Sequence, residues 1–449
     1  MRINAHIFRE YDIRGVVDKD LNGDVPFLIG RAFGSEVRAR LGGTPRIAVG
    51  HDNRPSSPHL AAEIIRGILS TGVDVLDVGT VPTPVLYYAH ASLNTDGGLQ
   101  ITGSHNPPEY NGFKMVVRGR ALYGDAIQGL RTRIEKDDLL DGTGEAEKHD
   151  IIPTYIEDVG SRFHARRPLK VVVDCGNGTG SLVAIDLLNK TGAQLVPLYC
   201  ESDGTFPNHH PDPVVDANLR DMIALVKQEK ADLGIAFDGD ADRVGAVDEQ
   251  GNIIRGDILL LLFGLDALER LGAPQKLVFD VKCTQALPEV YRKAGGEPIM
   301  WKTGHSLIKE KMKEVHAPVA GELSGHICFG EDYYGFDDAL YGACLLVQLV
   351  SRSARPLSAM VGDFPKYVST PEIRVEVTEE TKFGIVERAV EHFRSKYEVI
   401  DVDGARVVFD QGWGLLRASN TQPVLVLRFE ARTQQQLDDY QHIIYEWLQ

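Results

Sequence analysis

The sequence has few cysteines, and none of them form a recognisable metal or redox motif. Its 449 residues include five cysteines, an odd and scattered set with no Cys-x-x-Cys spacing. A disulfide framework needs paired, closely spaced cysteines, so we expect free thiols in a reducing compartment. The five are Cys175, Cys200, Cys283, Cys328 and Cys344.

Long apolar segments are also missing. The longest apolar run, residues 258–265, is far too short to span a bilayer, and the first ten residues contain no apolar signal core. We therefore expect a soluble, cytoplasmic protein that does not insert into membranes.

Positive charge is scarce relative to negative charge. The chain has 48 Lys and Arg residues against 64 Asp and Glu residues, a formal net charge of −16. This balance excludes nucleic acid and anionic membrane surfaces as expected partners, and any anionic substrate must meet a local cluster of cations. A composition of 43% hydrophobic and 25% charged residues is typical of a folded protein, and the length suffices for about three to four domains.

The most informative stretch is Gly98-Leu-Gln-Ile-Thr-Gly-Ser-His-Asn-Pro-Pro108. Its first four residues predict a short apolar strand, and Gly103 allows the close approach or positive φ that lets Ser104 project. Pro107 and Pro108 fix φ, so the loop should be stiff. A hydroxyl on a stiff loop at the end of a strand is typical of a nucleophile, and an ordinary surface turn is the alternative.

A second stretch carries three acidic residues. Asp238, Asp240 and Asp242 recur at every second position, so an extended chain would point their carboxylates to the same side. Three such carboxylates repel unless a cation lies among them, and oxygen ligands suit Mg²⁺ or Ca²⁺. A calcium-binding helix-loop-helix has similar spacing, but Arg243 occupies the position that needs glycine, and the flanking runs are strand-like. We therefore predict a metal site, with a solvated acidic turn as the alternative.

A pattern of strand, loop and helix repeats three times along the chain. Each unit closes with a strand that leads into a polar loop: the Ser104 loop, the aspartate loop, and Gly321-Glu-Leu-Ser-Gly-His326. Ligands of open α/β sheets bind outside the carboxyl ends of strands, so we expect the three loops to face one cleft.

The final region alternates polar and apolar residues, which predicts an α+β domain with an antiparallel sheet. The predicted fold is therefore three similar α/β domains with mixed, mostly parallel sheets plus this C-terminal domain, arranged around a central cleft. The predicted domains are residues 1–148, 149–252, 253–364 and 365–449, with residues 141–147 as a linker between the first two.

A glycine-rich stretch at residues 171–180 looks like a strand that enters a dinucleotide-binding loop. Gly176 and Gly178 fit that motif, but its third glycine position is Ser181. We therefore expect a tight turn between strand and helix, and no bound NAD.

Four segments together resemble the signatures of the α-D-phosphohexomutase family, closest to its bacterial phosphomannomutase/phosphoglucomutase branch. They are residues 102–108, residues 238–243, Gly321-Glu-Leu-Ser-Gly-His326 and Arg417-Ala-Ser-Asn-Thr-Gln-Pro423, in the family's order. Leu323 stands where the family commonly has Met, an apolar exchange. The resemblance implies an isomerase that moves a phosphoryl group reversibly between the 1- and 6-positions of a mannose or glucose phosphate, through a phosphoserine and a hexose 1,6-bisphosphate.

The resemblance also implies catalytic roles. It makes Ser104 the phosphoserine and places Mg²⁺ among the three aspartates, with an oxygen of the serine phosphate completing the coordination. The transfer itself needs a base for the sugar hydroxyl and an acid for the serine oxygen, for which we expect His326 and Lys114, with His105 as a loop-orienting residue. A second phosphate needs cations beside it, and Arg243, Lys114 and Arg14 are the candidates. For Lys114, a solvated strand residue is the alternative. The predicted metal ligands are Ser104, Asp238, Asp240 and Asp242.

Other residues are implied to bind the substrate. Lys282 either lies over the sugar or phosphate or forms a structural ion pair. The cluster that begins at Arg417 is predicted to follow a turn at Gly412-Trp-Gly414, and its side chains suit a phosphate. A plain polar turn between strands is the alternative for the cluster. The predicted substrate-binding residues are Tyr11, Arg14, Lys282, His305, Glu322, Ser324, Arg417, Ser419, Asn420 and Thr421.

Two other functions are compatible with parts of the sequence. A mutase specific for amino sugars would share the nucleophile and metal loops, and a non-catalytic phosphosugar-binding protein could use the same scaffold. An intact serine, aspartate triplet and arginine cluster argue against the second. The sequence leaves the oligomeric state open between a monomer and a weak dimer.

Overall fold

A computed structural model describes residues 3–420 and 422–449 of the chain. The chain divides into two units, one of Met1–Gly256 with Ser324–Met360 and one of Asp257–Leu323 with Val361–Gln449. None of the described helices has the length and apolar character needed to cross a membrane.

The first sheet is mixed and leads into the Ser104 loop. Its order is β1-β5-β4-β2-β3-β7, with β6 paired to β5. The central strand β2 runs parallel to β3 and β4, whereas β5 runs antiparallel to β4 and β1. The strands are β1 Ile13–Val16, β2 Arg46–His51, β3 Asp74–Thr80, β4 Gly97–Ile101, β5 Tyr110–Val117, β6 Arg120–Ala121 and β7 Ala146–Lys148. The helices are α1 Val25–Leu41, α2 Ser57–Leu69, α3 Thr83–Ser92 and α4 Asp125–Glu135.

The predicted linker at residues 141–147 is partly wrong. Its last residues belong to β7, which lies parallel to β3 with Val75 opposite Ala146. All three residues of β7 are exposed, so no hydrophobic alternation marks the strand in the sequence. Backbone hydrogen bonds hold the segment on the first sheet, among them one from the Val75 N–H to the Glu145 carbonyl at 2.9 Å.

The second sheet carries the aspartate loop at the end of a buried strand. Its order is β12-β11-β10-β8-β9, in which β8 is parallel to β9 and β10, and β11 is antiparallel to β10. The strands are β8 Lys170–Asp174, β9 Gln194–Leu198, β10 Leu233–Phe237, β11 Val244–Asp248 and β12 Ile253–Ile254. The helices are α5 Ile152–Ser161, α6 Ala184–Lys190 and α7 Arg220–Glu229.

The third region again places parallel strands side by side, with β13 between β14 and β15. Its strands are β13 Lys276–Asp280, β14 Glu297–Trp301, β15 Val319–Gly321 and β16 Ile327–Phe329. Its helices are α8 Gly256–Leu271, α9 Ala286–Lys293, α10 His305–Val315, α11 Ala339–Arg352 and α12 Leu357–Gly362.

The C-terminal region forms an antiparallel sheet of order β17-β22-β21-β20-β19, with β18 paired to β22. Its strands are β17 Val368–Ser369, β18 Ile373–Glu376, β19 Glu398–Ile400, β20 Ala405–Phe409, β21 Gly412–Ala418 and β22 Val424–Ala431. Its helices are α13 Lys382–Arg394 and α14 Gln434–Leu448. The predicted fold class is confirmed by these four sheets. The domain boundaries and the shared cleft stay predictions.

A buried carboxylate anchors the segment that follows His326. The side chain of Asp338 caps α11 by accepting a hydrogen bond from the Tyr341 N–H at 2.9 Å. It also accepts hydrogen bonds from the hydroxyls of Tyr155, at 2.9 Å, and Tyr333, at 2.5 Å. Burial raises the pKa of Asp338 to about 6.

This raised pKa makes the stability of the fold depend on pH. The folded state prefers the protonated acid, so it gains stability that is fully present below about pH 4 and is lost as pH rises through 6. Asp338→Asn cannot titrate. Between pH 5 and pH 7 the wild type should therefore lose about 1 kcal/mol of unfolding free energy relative to Asp338→Asn. Urea denaturation of both proteins at the two pH values measures this change, and an equal difference at both would contradict the prediction.

Candidate active site

Ser104 follows β4 and is held in a strained conformation. Its φ is 49°, in the left-handed region that non-glycine residues rarely adopt, and the residue is only 3% exposed. The Thr102 hydroxyl accepts a hydrogen bond from the Ser104 N–H at 2.8 Å. The positive φ thus belongs to Ser104 itself. Gly103 serves close approach, because a Cβ there would lie 2.4 Å from the Arg54 guanidinium carbon.

Arg54 was missed by the sequence analysis, yet it fixes the backbone of the Ser104 loop. The side chain is completely buried and donates four hydrogen bonds to main-chain carbonyls. The acceptors are Pro107 at 2.7 Å, Tyr110 at 3.1 Å, Ser104 at 2.8 Å and Asn106 at 2.6 Å. Asp52 pairs with Arg54 at 3.2 Å and also accepts from the Gly103 N–H at 2.9 Å. The prolines alone do not account for the stiffness of this loop.

The three aspartates lie together in a tight turn after β10. All are completely buried, and their carboxylate oxygens lie within 4.8 Å of one another. The expected extended geometry is wrong. Ala241 has a φ of 56°, and its N–H donates to the Asp238 carbonyl at 3.1 Å, so a turn brings the carboxylates to one point.

The electrostatics of this turn favour a bound cation. Burial, together with the charges of Asp242 and Asp240, raises the pKa of Asp238 well above its ordinary value. Asp238 accepts a hydrogen bond from the Ser104 hydroxyl at 2.8 Å. The Oδ1 atom of Asp240 is buried without a hydrogen-bond partner, as expected for an oxygen that serves as a metal ligand. The residues present therefore fit a hard divalent cation.

Lys114 supplies a cation to the same turn. It lies on β5 at 5% exposure, which does not fit the alternative of a solvated strand residue. Its ammonium group donates to Asp240 at 2.8 Å and to Asp242. Burial acts to lower the pKa of Lys114, but the two carboxylates outweigh it and hold the pKa well above its ordinary value. Lys114 is thus protonated, which suits an acid and not a base.

His326 also reaches the aspartate turn. A bridge between the backbones of Arg243 and His326 brings the two chain segments together. The Nε2 atom of His326 lies 3.1 Å from an Asp242 oxygen and 3.3 Å from the Arg243 Nε atom. Ser324, predicted to bind the sugar, has its hydroxyl 3.2 Å from the Nδ1 atom of His326.

A second possible metal group overlaps the first. Asp242, His326 and Asp337 place ligand atoms within 4.8 Å of one another, and all three are buried. Asp337 was missed by the sequence analysis, because it lies eleven positions beyond the recognised loop and has no motif of its own. The three oxygen ligands of the all-aspartate group suit a hard divalent cation better than a set that includes imidazole.

Predicted residues from the N-terminal segment lie against the Ser104 loop. Arg14 donates to the Asn106 side chain at 3.0 Å and pairs with Asp12 at 2.6 Å. The Nδ1 atom of His105 lies 3.1 Å from the Ser104 hydroxyl. Burial and the positive charges of nearby arginines lower the pKa of His105 well below its ordinary value, so the ring is neutral. Tyr11 is half-buried just before this group.

The second unit contains three of the residues predicted to bind the sugar or its phosphate, which are Lys282, His305 and Glu322. Lys282 pairs with Glu372 at 2.8 Å and lowers the pKa of Glu372 to about 2, so the structural ion pair is formed. Glu322 accepts from the Gly304 N–H at 2.6 Å, directly before His305 at the start of α10. Sugar binding by these residues stays a prediction.

The Arg417 cluster follows β21. The predicted turn at Gly412-Trp-Gly414 is wrong, because these residues begin that strand. Arg417 pairs with Asp403 through two guanidinium nitrogens, at 3.0 and 3.4 Å. The buried ammonium group of Lys382, missed by the sequence analysis, donates to the Ser419 carbonyl at 2.7 Å and fixes the loop. Asn420 lies in this loop, and Thr421 lies outside the described residues.

Comparison with known proteins finds the same family along most of the chain. Four models of the phosphoglucomutase/phosphomannomutase family match it, in order. Three describe alpha/beta/alpha domains I, II and III, at residues 5–141, 153–251 and 255–367, and the fourth describes the C-terminal domain, at residues 372–446.

Individual relatives agree over the full length. A phosphomannomutase/phosphoglucomutase of Pseudomonas aeruginosa is 51% identical over 435 residues, covering 97% of this chain and 93% of the relative. A phosphoglucomutase of Neisseria meningitidis is 45% identical over 445 residues, covering 98% of this chain and 96% of the relative. The crystal structure of a phosphoglucomutase/phosphomannomutase family protein from Burkholderia thailandensis has a TM-score of 0.92 at 45% identity, covering 99% of this chain and 97% of that chain. The resemblance found in four segments is confirmed, and the chain belongs to the phosphoglucomutase/phosphomannomutase family.

Proposed function

We propose that this protein is a phosphohexomutase that moves a phosphoryl group reversibly between the 1- and 6-positions of mannose or glucose phosphate. The observation that carries the proposal is the Ser104 hydroxyl, which lies 2.8 Å from Asp238 at the edge of a buried three-carboxylate turn. A strained loop presents this hydroxyl beside a cation site, which is the arrangement that phosphoryl transfer through a phosphoserine needs. The names of the relatives at 51% and 45% identity support the same reaction.

We assign the cation to Mg²⁺, held by Asp238, Asp240 and Asp242 with an oxygen of phosphorylated Ser104. When bound, Mg²⁺ would neutralise negative charge on the transferring phosphoryl group. Positively charged side chains of the protein also offset the negative charge of the three carboxylates. Lys114 donates to Asp240, and the positive charge of Arg243 acts to lower the pKa values of Asp238 and Asp242. These two cations limit the repulsion that a phosphosugar would meet.

The proton transfers fall to two residues with different electrostatic surroundings. The pKa of Lys114 is held well above its ordinary value by Asp240 and Asp242, so Lys114 acts as the acid toward the serine oxygen. His326 acts as the base toward the attacking sugar hydroxyl, oriented by the hydroxyl of Ser324 at its Nδ1 atom. His105, neutral and 3.1 Å from the Ser104 hydroxyl, orients the nucleophile.

The two ends of the substrate need separate binding sites. Each conversion, in either direction, requires the hexose 1,6-bisphosphate to turn end for end, so that the serine gives its phosphoryl group to one end and takes it back from the other. One clamp must therefore accept the phosphate that is not reacting. We assign this clamp to Arg417 with Ser419, Asn420 and Thr421, and the sugar hydroxyls to Glu322 and Ser324. His305 and Lys282 would contact the sugar or its phosphate, and Tyr11 and Arg14 the phosphate near Ser104.

The pair with Asp403 orients Arg417 for this role. Two of its nitrogens face the carboxylate, which fixes the plane of the guanidinium group before substrate binds. We further propose a cytoplasmic enzyme that acts on small phosphosugars as a monomer or weak dimer. The four domains would be residues 1–148, 149–252, 253–364 and 365–449. No specific observation favours the amino-sugar alternative.

Ser104→Ala should lose at least about 1,000-fold in mutase rate while keeping its fold, because the hydroxyl that carries the phosphoryl group is removed. Ser92→Ala is the matched control, since that hydroxyl only donates to a helix carbonyl, and it should keep full activity. A coupled assay with glucose 1-phosphate and mannose 1-phosphate measures the rates. Peptide mass spectrometry locates the phosphate. Full activity in Ser104→Ala, or a phosphate mapped to another residue, would refute the assignment.

Arg417→Ala should lower kcat/KM by roughly 2–4 kcal/mol in transition-state free energy, the value of a bidentate charge-assisted contact with its positioning effect. Part of the loss should fall on kcat, because the remote phosphate orients the reacting hydroxyl. Arg394→Ala removes the same charge from an exposed site in the same region and should change little. Steady-state kinetics and an assay of phosphate retained on Ser104 are measured together. Unchanged kinetics, or loss of the phosphoserine, would show that Arg417 is not the clamp.

A further inference from the structure

Two of the five thiols lie in contact with each other, and neither belongs to a residue assigned to catalysis. The sulfur atoms of Cys175 and Cys200 are 3.2 Å apart. Cys175 directly follows β8 and Cys200 follows β9, which are parallel neighbours in the second sheet, with Asp174 opposite Leu198. A disulfide has a sulfur–sulfur bond of about 2.05 Å, so the two atoms need to approach by only about 1 Å.

The second sulfur can be reached from outside. Cys175 is completely buried, whereas Cys200 is half-buried and lines an open groove of about 570 Å³. Asn177, Tyr199 and Glu201 line the same groove. This volume admits a peroxide or a small thiol, so an oxidant or a reductant can reach Cys200 directly.

We propose that Cys175 and Cys200 are a thiol-modification site that forms a reversible disulfide within the chain. The geometry favours this pair because its two sulfur atoms are in contact and Cys200 is half-buried, whereas Cys283, Cys328 and Cys344 are each buried. The Cys200 sulfur lies 3.3 Å from the carbonyl oxygens of Val173 and Leu198. When the thiol hydrogen is lost, the Leu198 carbonyl still accepts a hydrogen bond from the Cys175 N–H at 3.2 Å.

The chemistry requires a two-electron oxidant such as hydrogen peroxide. The Cys200 thiolate attacks one peroxide oxygen, which gives a sulfenic acid and, after proton transfer, water. Cys175 then attacks the sulfenic sulfur and displaces its oxygen as a second water. Each chain loses two hydrogens, and a dithiol reverses the step. The hydrogen bond between the thiols lowers the pKa of Cys200 and raises that of Cys175, which supports Cys200 as the attacking thiol.

The location of the pair connects it to both loops of the proposed active site. The side chain of Asn53 donates to the Asn177 carbonyl at 2.8 Å and to the Ser202 hydroxyl at 2.9 Å, so it contacts both cysteine-bearing segments. Asn53 directly precedes Arg54, which fixes the Ser104 loop. The Thr179 N–H donates to the Gly239 carbonyl, inside the aspartate turn, at 2.9 Å. Drawing the two segments together should therefore slow catalysis, a consequence that rests on the proposed function.

The test begins with the mass of the whole protein. After peroxide treatment the wild type should lose about 2 Da and regain it with dithiothreitol, and peptide mapping should find Cys175 joined to Cys200. Cys200→Ser should show no such loss, and Cys344→Ala, the matched control, should behave as the wild type. Cys200 is half-buried, so its replacement should not prevent folding. A bridge in Cys200→Ser, a different pair in the wild type, or overoxidised Cys200 without a bridge would overturn the proposal.

A rate measurement on the same samples tests the connection to catalysis. Oxidised wild type should turn over at least about fivefold more slowly and recover on reduction, whereas Cys200→Ser should keep its rate under peroxide. A bridged protein with an unchanged rate would overturn the connection. The mass measurement needs no activity, so failure of the disulfide and failure of the proposed mutase function are distinguishable.

Discussion

The repulsion among three buried carboxylates is the constraint on which the site depends. Asp238, Asp240 and Asp242 lie within one tight turn, where water cannot screen their charges. Such a group is stable only beside positive charge, and the fold provides it from distant parts of the chain. Lys114 reaches the turn from β5, which is distant in sequence, and the charge of Arg243 comes from the residue directly after Asp242. Under the proposed function, the same arrangement would attract a divalent cation and limit the repulsion of a phosphosugar.

Ser104, the proposed nucleophile, depends on a second, independent restraint. A left-handed serine costs roughly 1–3 kcal/mol and persists only where its surroundings fix it. Arg54 supplies that restraint through four main-chain carbonyls, and Asp52 fixes Arg54 in turn. The hydroxyl is therefore positioned before substrate binds, so less ordering is left for the transition state. Stability of the loop and rate of transfer thus have a common origin.

Local pattern predicted much of the fold and of the site. The apolar strand predicted before the Ser104 loop, at residues 98–101, is observed as the fully buried β4, Gly97–Ile101. Ser104 and the aspartates carried signals of their own. Arg54 and Lys382 carried none, since a buried charge acquires its partners only through contacts distant in sequence. The turn at Ala241 and the exposed strand β7 were likewise set by backbone hydrogen bonds that side-chain patterns do not reveal.

The central claim is that the three aspartates hold the catalytic cation beside Ser104. Crystals of the wild type grown with Mn²⁺, which binds the same hard oxygen ligands as Mg²⁺ and scatters anomalously, test it directly. The account predicts one anomalous peak, at roughly 2.0–2.2 Å from oxygens of Asp238, Asp240 and Asp242. A peak among Asp242, His326 and Asp337 instead, or a Ser104 loop with no metal near it at saturating Mn²⁺, would contradict the account.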